Sequence, residues 1–311
     1  MKCIYGPVLS RRLGRSLGID PFMHKTCTHN CIYCQLGACD TVSPESIISG
    51  ISADCVQREL REFFNAGGDT DYITFSGSGE PTLWQHIGES ARMIKSNYPR
   101  KKLAVITNAT TLWRYDVRES ISCADLVVPT IAAADEETYL RLHRPYPDAD
   151  FESHLSGMCR FARQFNGEIW IEVMLVADVN DSDKHLARLA KILDVLPAKY
   201  IDINTPVRPP AEDWVRPPDK ETIQTACAIL GERCRTVNEY TAIPEQHRKV
   251  ARLFDRILEL LARRPETTRA MAGALEVAQQ DIERAIEMLV AKKIVICDDR
   301  GYCRLVRSED V

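Results

Sequence analysis

Three cysteines lie within a stretch of eight residues near the start of the chain, and thiolates at this spacing can bind a metal. The stretch reads CTHNCIYC and places sulfurs at Cys27, Cys31 and Cys34. Three thiolates can hold three corners of an iron-sulfur cube and leave one iron open to another ligand. A zinc site would need a fourth protein ligand, for which Cys39 and His29 are candidates. Free structural cysteines are the third alternative, although the three sulfurs do not follow an apolar face.

The elements that must position these cysteines follow from the hydrophobic pattern of the first 240 residues. Apolar runs alternate with amphipathic stretches, which is typical of strand-helix units in a parallel sheet. We predict six strands, at residues 16–20, 72–76, 103–107, 126–130, 169–176 and 200–204. We predict helices between them at residues 44–65, 83–97, 148–165, 183–196 and 219–231. The predicted fold is α/β, an open six-stranded (β/α)6 partial TIM barrel over residues 1–240, with the loops after the strands meeting at one edge.

The pattern changes after about residue 240. We predict an amphipathic helix over 245–263, a short helix, a third helix over 281–293, and a hairpin around Asp298-Asp299-Arg300-Gly301. Three helices and a hairpin predict a small C-terminal winged-helix-like domain over residues 245–311. This segment has 13 Lys and Arg against 12 Asp and Glu, so a peptide, protein or dimer contact is at least as well supported as nucleic-acid binding.

Composition narrows the class of protein. The chain has 311 residues, 45% of them hydrophobic, and a formal charge of -4, which excludes a disordered chain and gives no bulk attraction to nucleic acid. No apolar run is long enough to cross a bilayer, and the N-terminus lacks the apolar segment of a signal peptide. We therefore expect a cytoplasmic protein with no membrane partner. In a reducing compartment, its 12 cysteines raise the question of metal binding.

The cysteine run, with Tyr33 before its last cysteine, resembles the signature of the radical S-adenosylmethionine (SAM) superfamily. The resemblance implies that Cys27, Cys31 and Cys34 bind one 4Fe-4S cluster, whose open iron chelates the amino and carboxylate groups of SAM. One-electron reduction would then cleave SAM to methionine and a 5'-deoxyadenosyl radical that abstracts a substrate hydrogen atom. The resemblance also implies a flavodoxin-like or ferredoxin-like electron donor.

A second stretch, residues 76–81, reads SGSGEP and resembles the superfamily's Gly-Gly-Glu loop, in which backbone groups and the acid hold the methionine ammonium. Glycine allows close approach of the backbone, and a carboxylate suits a cation. Further polar residues at strand ends, and two on the fifth predicted strand, complete the expected cofactor site. The predicted cofactor-binding residues are Tyr33, Gly77, Ser78, Gly79, Glu80, Thr107, Asn108, Thr130, Glu172, Met174 and Asn204.

Four other stretches, residues 5–18, 34–37, 143–145 and 204–210, resemble a mostly uncharacterised set of radical enzymes similar to the tRNA wyosine-synthesising enzymes. Those enzymes carry an additional cluster on cysteines upstream of the motif, whereas only Cys3 precedes it here. The substrate therefore stays open among a small molecule, a peptide and a tRNA. Arg144, Thr205 and Arg208 are the predicted substrate contacts, and no acid-base residue is assigned. An iron-sulfur or zinc regulatory protein without catalysis is the alternative from another class.

The remaining cysteines and the N-terminal arginines carry weaker expectations. Cysteines without tight ligand spacing are expected to be buried small hydrophobic residues. Arg11, Arg12 and Arg15 are candidates for binding a polyanion, with salt bridging as the alternative. The cysteines in this class are Cys55, Cys123, Cys159, Cys227, Cys234, Cys297 and Cys303.

Overall fold

The computed structural model describes residues 3–237, 253–254, 256–258, 260–261, 265–275 and 277–306. The chain divides into two units, Met1–Thr241 and Ala242–Val311.

An eight-stranded sheet forms the centre of the first unit, and its strands follow chain order across the sheet. The first two strands form an antiparallel hairpin, and each later strand is parallel to its neighbour. The strands are β1 (Ile4–Ser10), β2 (Gly14–Ile19), β3 (Tyr72–Phe75), β4 (Lys102–Thr107), β5 (Leu126–Pro129), β6 (Glu168–Met174), β7 (Tyr200–Asn204) and β8 (Cys234–Thr236).

The α/β class is confirmed, and each of the six predicted strands is present. The predicted total of six is wrong, because the sheet has eight strands. The two additional strands, β1 and β8, stand at opposite edges of the sheet. β1 contains Gly6 and Pro7, and β8 is only three residues long. Neither has the continuous apolar run of a strand buried on both faces, which is the signal that identifies the central strands.

Seven helices flank the described sheet of the first unit. The first begins at Ala53 rather than at residue 44, because the Ser52 side chain caps it by accepting a hydrogen bond from the backbone nitrogen of Cys55 at 3.3 Å. No helix among the described residues has both the length and the apolar character needed to cross a membrane. The helices are α1 (Ala53–Asn65), α2 (Ile87–Asn97), α3 (Tyr115–Ser120), α4 (Glu136–His143), α5 (Phe151–Gln164), α6 (Asp183–Asp194) and α7 (Lys220–Leu230).

The parallel strands are buried on both faces. Every residue of β3 and β5 is buried, and alternate residues belong to two separate hydrophobic clusters. Leu103 and Val105 belong to the larger cluster, whereas Ala104 belongs to a smaller one that includes Leu126 and Trp170. This alternation fixes which strand residues face each side, so the register of the sheet determines which polar side chains can meet.

The N-terminal arginines do not form the surface expected for binding a polyanion. The side chain of Arg12 is only 12% exposed, and its Nη1 lies 2.5 Å from Glu172 Oε2 on β6. Arg15 pairs with Asp69 at 2.8 Å and with Asp71 at 3.1 Å. The salt-bridge alternative is therefore correct for Arg12 and Arg15.

The second unit contains a three-stranded antiparallel sheet, in which β11 (Tyr302–Leu305) lies between β10 (Val295–Cys297) and β9 (Glu266–Thr267). The predicted hairpin and the helix predicted over 281–293 are present, and the winged-helix assignment itself stays a prediction. Of the helix predicted over 245–263, residues 253–254, 256–258 and 260–261 are helical, and the rest lies outside the described residues. The elements are β9 (Glu266–Thr267), α8 (Thr268–Leu275), α9 (Gln279–Ala291), β10 (Val295–Cys297) and β11 (Tyr302–Leu305).

Two pairs of cysteines differ from the expectation of isolated buried thiols. Cys297 and Cys303 lie opposite each other on β10 and β11 and form a disulfide. The sulfur atoms of Cys227 and Cys234 lie 3.0 Å apart between α7 and β8. In both cases the fold brings together residues whose sequence spacing alone carries no ligand or disulfide signal.

We predict that Gly157→Ala destabilises the first unit, although alanine normally favours a helix. A Cβ atom at position 157 of α5 would lie 2.5 Å from the backbone nitrogen of Trp113, so we expect a loss of about 1–3 kcal/mol in the free energy of unfolding. Gly273→Ala on α8 is the control, because a Cβ there meets no atom within 4 Å, and it should stabilise by about 0.5–1 kcal/mol. Urea unfolding of both variants checks this, and stabilisation by Gly157→Ala would contradict it.

Candidate metal centre and cofactor site

The three motif cysteines lie in the long loop between β2 and α1, and backbone hydrogen bonds fix this loop over the carboxyl edge of the sheet. The backbone nitrogen of Thr26 donates to the carbonyl of Ser78 at 2.8 Å, and that of Glu80 donates to the carbonyl of Thr26 at 2.9 Å. Farther along, the nitrogen of Ile32 donates to the carbonyl of Leu142 at 3.1 Å. The loop is therefore attached to the end of β3 and to the end of α4, as convergence at this edge predicts.

Two of the motif sulfurs contact a side-chain nitrogen from another element. Asn108 Nδ2, just after β4, lies 3.4 Å from Cys27 Sγ, and His143 Nδ1, the last residue of α4, lies 3.4 Å from Cys31 Sγ. Burial raises the pKa of the Cys27 thiol to about 12 and that of the Cys31 thiol well above its usual value. The N–H group that Asn108 directs at Cys27 stabilises negative charge on that sulfur and so favours the thiolate form that binds metal. Nδ1 of His143 does the same for Cys31 in the tautomer that carries the ring proton on this nitrogen.

A lysine accompanies the third motif sulfur. Burial alone would lower the pKa of the Lys25 ammonium, but the sulfurs of Cys34 and Cys39 hold it above its usual value. The Lys25 ammonium also donates to the carbonyl of Gly37. The sequence analysis did not identify Lys25. Its position two residues before the first motif cysteine was the one feature that could have indicated its role.

The glycines of the loop after β3 are required by close contacts. A Cβ atom on Gly79 would lie 1.7 Å from the carbonyl oxygen of Thr26, and one on Gly77 would lie 2.4 Å from Cγ of Asp20. Between them, the backbone nitrogen and the hydroxyl of Ser78 donate to Asp20 Oδ2 at 3.0 and 2.5 Å. The loop is thus held against the end of β2, and Asp20 is a second residue that the sequence analysis missed.

The side chain of Glu80 joins the loop after β3 to the end of β4. It is 1% exposed and accepts hydrogen bonds from the backbone nitrogen of Thr82 at 3.1 Å, the Thr107 hydroxyl at 2.7 Å and the backbone nitrogen of Asn108 at 2.6 Å. Burial raises the pKa of this carboxyl group, and the hydrogen bonds oppose that rise. Both carboxylate oxygens are therefore engaged within the protein, and an ammonium contact would compete with these bonds.

The predicted contacts on β5, β6 and β7 lie together. Thr130 forms a β-bridge with Glu172, and Asn204 Nδ2 donates to Glu172 Oε2 at 3.2 Å. The side chain of Arg12 reaches the same carboxylate oxygen. Met174, two residues beyond Glu172 on β6 and therefore on the same face, is 8% exposed.

The predicted substrate contacts already have partners in the protein. Arg144 forms an ion pair with Glu212, and Arg208 donates to Gln35, which directly follows the last motif cysteine. Thr205 is 2% exposed, and its backbone nitrogen donates to the side chain of the preceding asparagine. Arg208 is thus brought to the cysteine loop, whereas Arg144 is tied to the segment before α7.

Three histidines form a buried cluster beside the cysteine loop, which no local sequence pattern indicated. The His29 ring lies 4.9 Å from the His143 ring and 6.3 Å from the His154 ring. Burial lowers the pKa of His143 to about 3 and that of His154 to about 4, and it also lowers the pKa of His29. Tyr33 joins the cluster through its hydroxyl, 3.2 Å from His143 Nδ1. The histidines are therefore neutral near pH 7.

The donor set fits a cluster better than a single zinc ion. Within the described residues, the groups of three ligand atoms lying within 4.8 Å of one another are His29-Cys31-His143 and Cys3-Cys55-Glu59. The three motif sulfurs do not form such a group, whereas the sulfurs of a tetrahedral zinc site lie about 3.8 Å apart. Three more widely spaced thiolates, each beside a polar or cationic group, fit an iron-sulfur cluster with three protein ligands.

Comparison with known proteins gives a family match over more than half of the chain. Residues 22–190 match the family model described as the radical SAM superfamily. A UPF0026 protein of Methanocaldococcus jannaschii is 33% identical over 241 residues, which is 75% of this chain and 72% of that protein. A protein named GTPase Obg of Brachyspira hyodysenteriae is 32% identical over 298 residues, 94% of this chain but only 42% of that protein.

This chain therefore spans less than half the length of the Brachyspira relative. Its own sequence lacks the G-x4-G-K-[ST] loop that binds nucleotide phosphates.

Among solved structures, TYW1 with a lysine-pyruvate adduct bound is 18% identical, with a TM-score of 0.50, over 70% of this chain and 72% of that one. At this identity the likeness is one of fold.

We predict that the stability of the cluster-free chain falls as the pH drops below about 6.5 because of the buried histidines. The folded-state pKa of His154 is about 4, so between pH 6.5 and 4 the unfolded chain binds more protons than the folded chain. Each such group should cost about 1.4 kcal/mol per pH unit in this window.

Anaerobic urea unfolding at pH 7 and pH 5 of the wild type, His154→Gln and the exposed control His24→Gln checks this prediction. His154→Gln should reduce the pH dependence, and His24→Gln should leave it unchanged. Equal pH dependence in all three chains would contradict the assignment.

Proposed function

Because the chain belongs to the radical SAM superfamily, we propose that it is an enzyme in which Cys27, Cys31 and Cys34 hold one 4Fe-4S cluster and an open iron binds SAM. The match to the family model confirms the superfamily resemblance that the cysteine run indicated, and with it the expected cofactors, a 4Fe-4S cluster and SAM. When bound, the cluster and SAM supply a one-electron reductive cleavage to methionine and a 5'-deoxyadenosyl radical, which abstracts a hydrogen atom from the substrate. The observation that carries the proposal is three motif thiols at the carboxyl edge of the sheet, each beside a nitrogen group of the protein.

The nitrogen groups around the sulfurs would set the reduction potential of the cluster. Asn108 and His143 lie 3.4 Å from Cys27 and Cys31, and Lys25 places a cation beside Cys34. Hydrogen bonds and positive charge near cluster sulfurs stabilise the added electron and raise the potential. Neutral His143 contributes a ring nitrogen without adding a second cation to this site.

The proposed cofactor contacts divide into two groups. Gly77, Ser78 and Gly79, whose backbone is fixed against the end of β2 and the cysteine loop, would hold the methionine part of SAM. Glu80 and Thr107 shape that loop from beneath through their hydrogen bond. The second group would contact the nucleoside part of SAM and comprises Tyr33, Asn108, Thr130, Glu172, Met174 and Asn204.

The substrate would enter where the loop after β7 meets the cysteine loop. We propose that Arg208 and Thr205 contact it there, because Arg208 already bonds to Gln35 beside the last motif cysteine. Arg144 would contribute only by releasing Glu212. The proposal includes a flavodoxin-like or ferredoxin-like donor, and Met23 and Leu36 offer it exposed apolar side chains near the cysteine loop.

Neither the likeness of fold to TYW1 nor the near-neutral charge of residues 245–311 selects tRNA as the substrate, so the substrate class stays open in this proposal. We also propose that residues 1–240 form the partial barrel and that residues 245–311 form a winged-helix-like module. A purely regulatory cluster protein would not cleave SAM, so cleavage separates the two classes of function.

We predict that Cys31→Ala abolishes reductive SAM cleavage, because the cluster loses one of its three protein ligands. Cys39→Ser is the matched control, since a cysteine outside the ligand set should leave the iron content and cleavage within about twofold of the wild type. The measurement is methionine and 5'-deoxyadenosine released by the anaerobically reconstituted, chemically reduced chain. Wild-type cleavage by Cys31→Ala, or loss of the cluster in Cys39→Ser, would be inconsistent with the proposed ligands.

We also predict that Asn108→Ala lowers the cluster's reduction potential. A hydrogen bond to a charged group contributes about 1.5 kcal/mol, which corresponds to roughly 60 mV for a one-electron couple. Redox titration followed by electron paramagnetic resonance checks this, with Asn97→Ala on the exposed end of α2 as the control. An unchanged potential in Asn108→Ala would show that the contact to Cys27 does not tune the cluster.

A further inference from the structure

A second group of potential metal ligands lies outside the cysteine motif, where the N-terminal segment meets α1. It consists of Cys3, just before β1, and of Cys55 and Glu59, which are one turn apart on α1. Cys3 is 2% exposed and Glu59 is 9% exposed. A buried carboxylate beside two thiols is unusual at a packed contact between two elements, because a buried charge normally has a compensating cation.

Two of the three distances between the ligand atoms of this group match those of a tetrahedral zinc site. Cys3 Sγ lies 3.8 Å from Cys55 Sγ, and Cys55 Sγ lies 3.7 Å from Glu59 Oε1. With zinc-sulfur bonds of about 2.3 Å and a zinc-oxygen bond of about 2.1 Å, tetrahedral angles place two sulfurs about 3.8 Å apart and a sulfur and an oxygen about 3.6 Å apart. These two separations are those of a single ion bound by all three side chains, and the third, from Cys3 Sγ to a Glu59 oxygen, is no more than 4.8 Å.

Hydrogen bonds orient the carboxylate for this role. Glu59 Oε2 accepts from the backbone nitrogens of Cys3 at 2.8 Å and Ile4 at 3.1 Å, which leaves Oε1 directed toward Cys55. A ligating carboxylate is commonly held by such bonds to its second oxygen. Arg58, on the exposed side of the group, donates to Cys55 Sγ at 3.2 Å and stabilises negative charge on that sulfur.

The guanidinium of Arg58, 3.2 Å from Cys55 Sγ, places one positive charge beside the group. A divalent cation would take the place of the two thiol protons, and together with Arg58 its charge would balance one carboxylate and two thiolates. Two sulfurs and one oxygen favour zinc, since calcium and magnesium prefer sites built only of oxygen, and copper(I) prefers softer ligands.

We propose that Cys3, Cys55 and Glu59 form a zinc site separate from the cluster, with water as the fourth ligand. Zinc binding releases the protons of both thiols and involves no redox step. The site would be structural, because it ties the N-terminal segment to α1. It would also stiffen the cofactor loop, since the carbonyl of Cys3 accepts from the backbone nitrogen of Asp20 at 2.8 Å and Asp20 holds Ser78.

The test uses the full chain with its motif cysteines already loaded with iron and sulfide, so that they do not compete for zinc. After anaerobic dialysis against a zinc buffer, we expect one zinc per chain by elemental analysis, and X-ray absorption at the zinc edge should show two sulfur neighbours at about 2.3 Å. Cys55→Ser and Glu59→Gln should weaken zinc binding by more than about 100-fold, beyond what loss of an outer-shell partner costs.

Cys123→Ser is the control, because this partly buried cysteine of the first unit lies outside both groups of ligands, and it should bind zinc as the wild type does. Glu59→Gln retains the size of the side chain, so circular dichroism can separate loss of zinc from loss of fold. Zinc retained in Cys55→Ser, zinc absent from the folded wild type, or a Cys3–Cys55 disulfide in the anaerobic chain would each overturn the proposal.

Discussion

Negative charge on three partly buried sulfurs is the constraint on which the site depends. Thiolates in such a place are unfavourable unless protein groups or a metal compensate them, as the raised pKa of the Cys27 and Cys31 thiols shows. The fold supplies compensation from Asn108 after β4 and from Lys25 in the loop itself, and it places His143, at the end of α4, in contact with Cys31. The parallel sheet is what brings these elements to one edge.

Glu80 connects this charge balance to the rest of the sheet. Its carboxylate joins the loop after β3 to Thr107 and Asn108 at the end of β4, and Asn108 is the residue that contacts Cys27. On the other side of the same loop, Gly79 lies so close to Thr26 that any side chain at that position would collide with the cysteine loop. The position of Cys27 therefore depends on the loops after β3 and β4 together, and a change in either loop should shift its sulfur atom.

Much of this arrangement could be predicted from the sequence, because the central strands are continuous apolar runs and the cysteine run is local. The edge strands β1 and β8 could not be predicted in this way, since Gly6 and Pro7 interrupt one and the other has three residues. The histidine cluster was also missed, because His29, His143 and His154 come from three distant segments and meet only through the tertiary fold. The burial of Arg12 against Glu172 was not predicted either, because the two residues are distant in the sequence. A charged residue in a turn is also normally exposed.

The central claim is that the cluster has three protein ligands and that SAM completes it. The most direct test is electron-nuclear double resonance on the reduced, cluster-loaded chain with SAM labelled with nitrogen-15 at its amino group. The account predicts a nitrogen-15 hyperfine coupling to the cluster, which a nitrogen-14 pattern replaces when SAM is unlabelled. No coupling at saturating SAM, in a chain whose cluster content is complete, would contradict it.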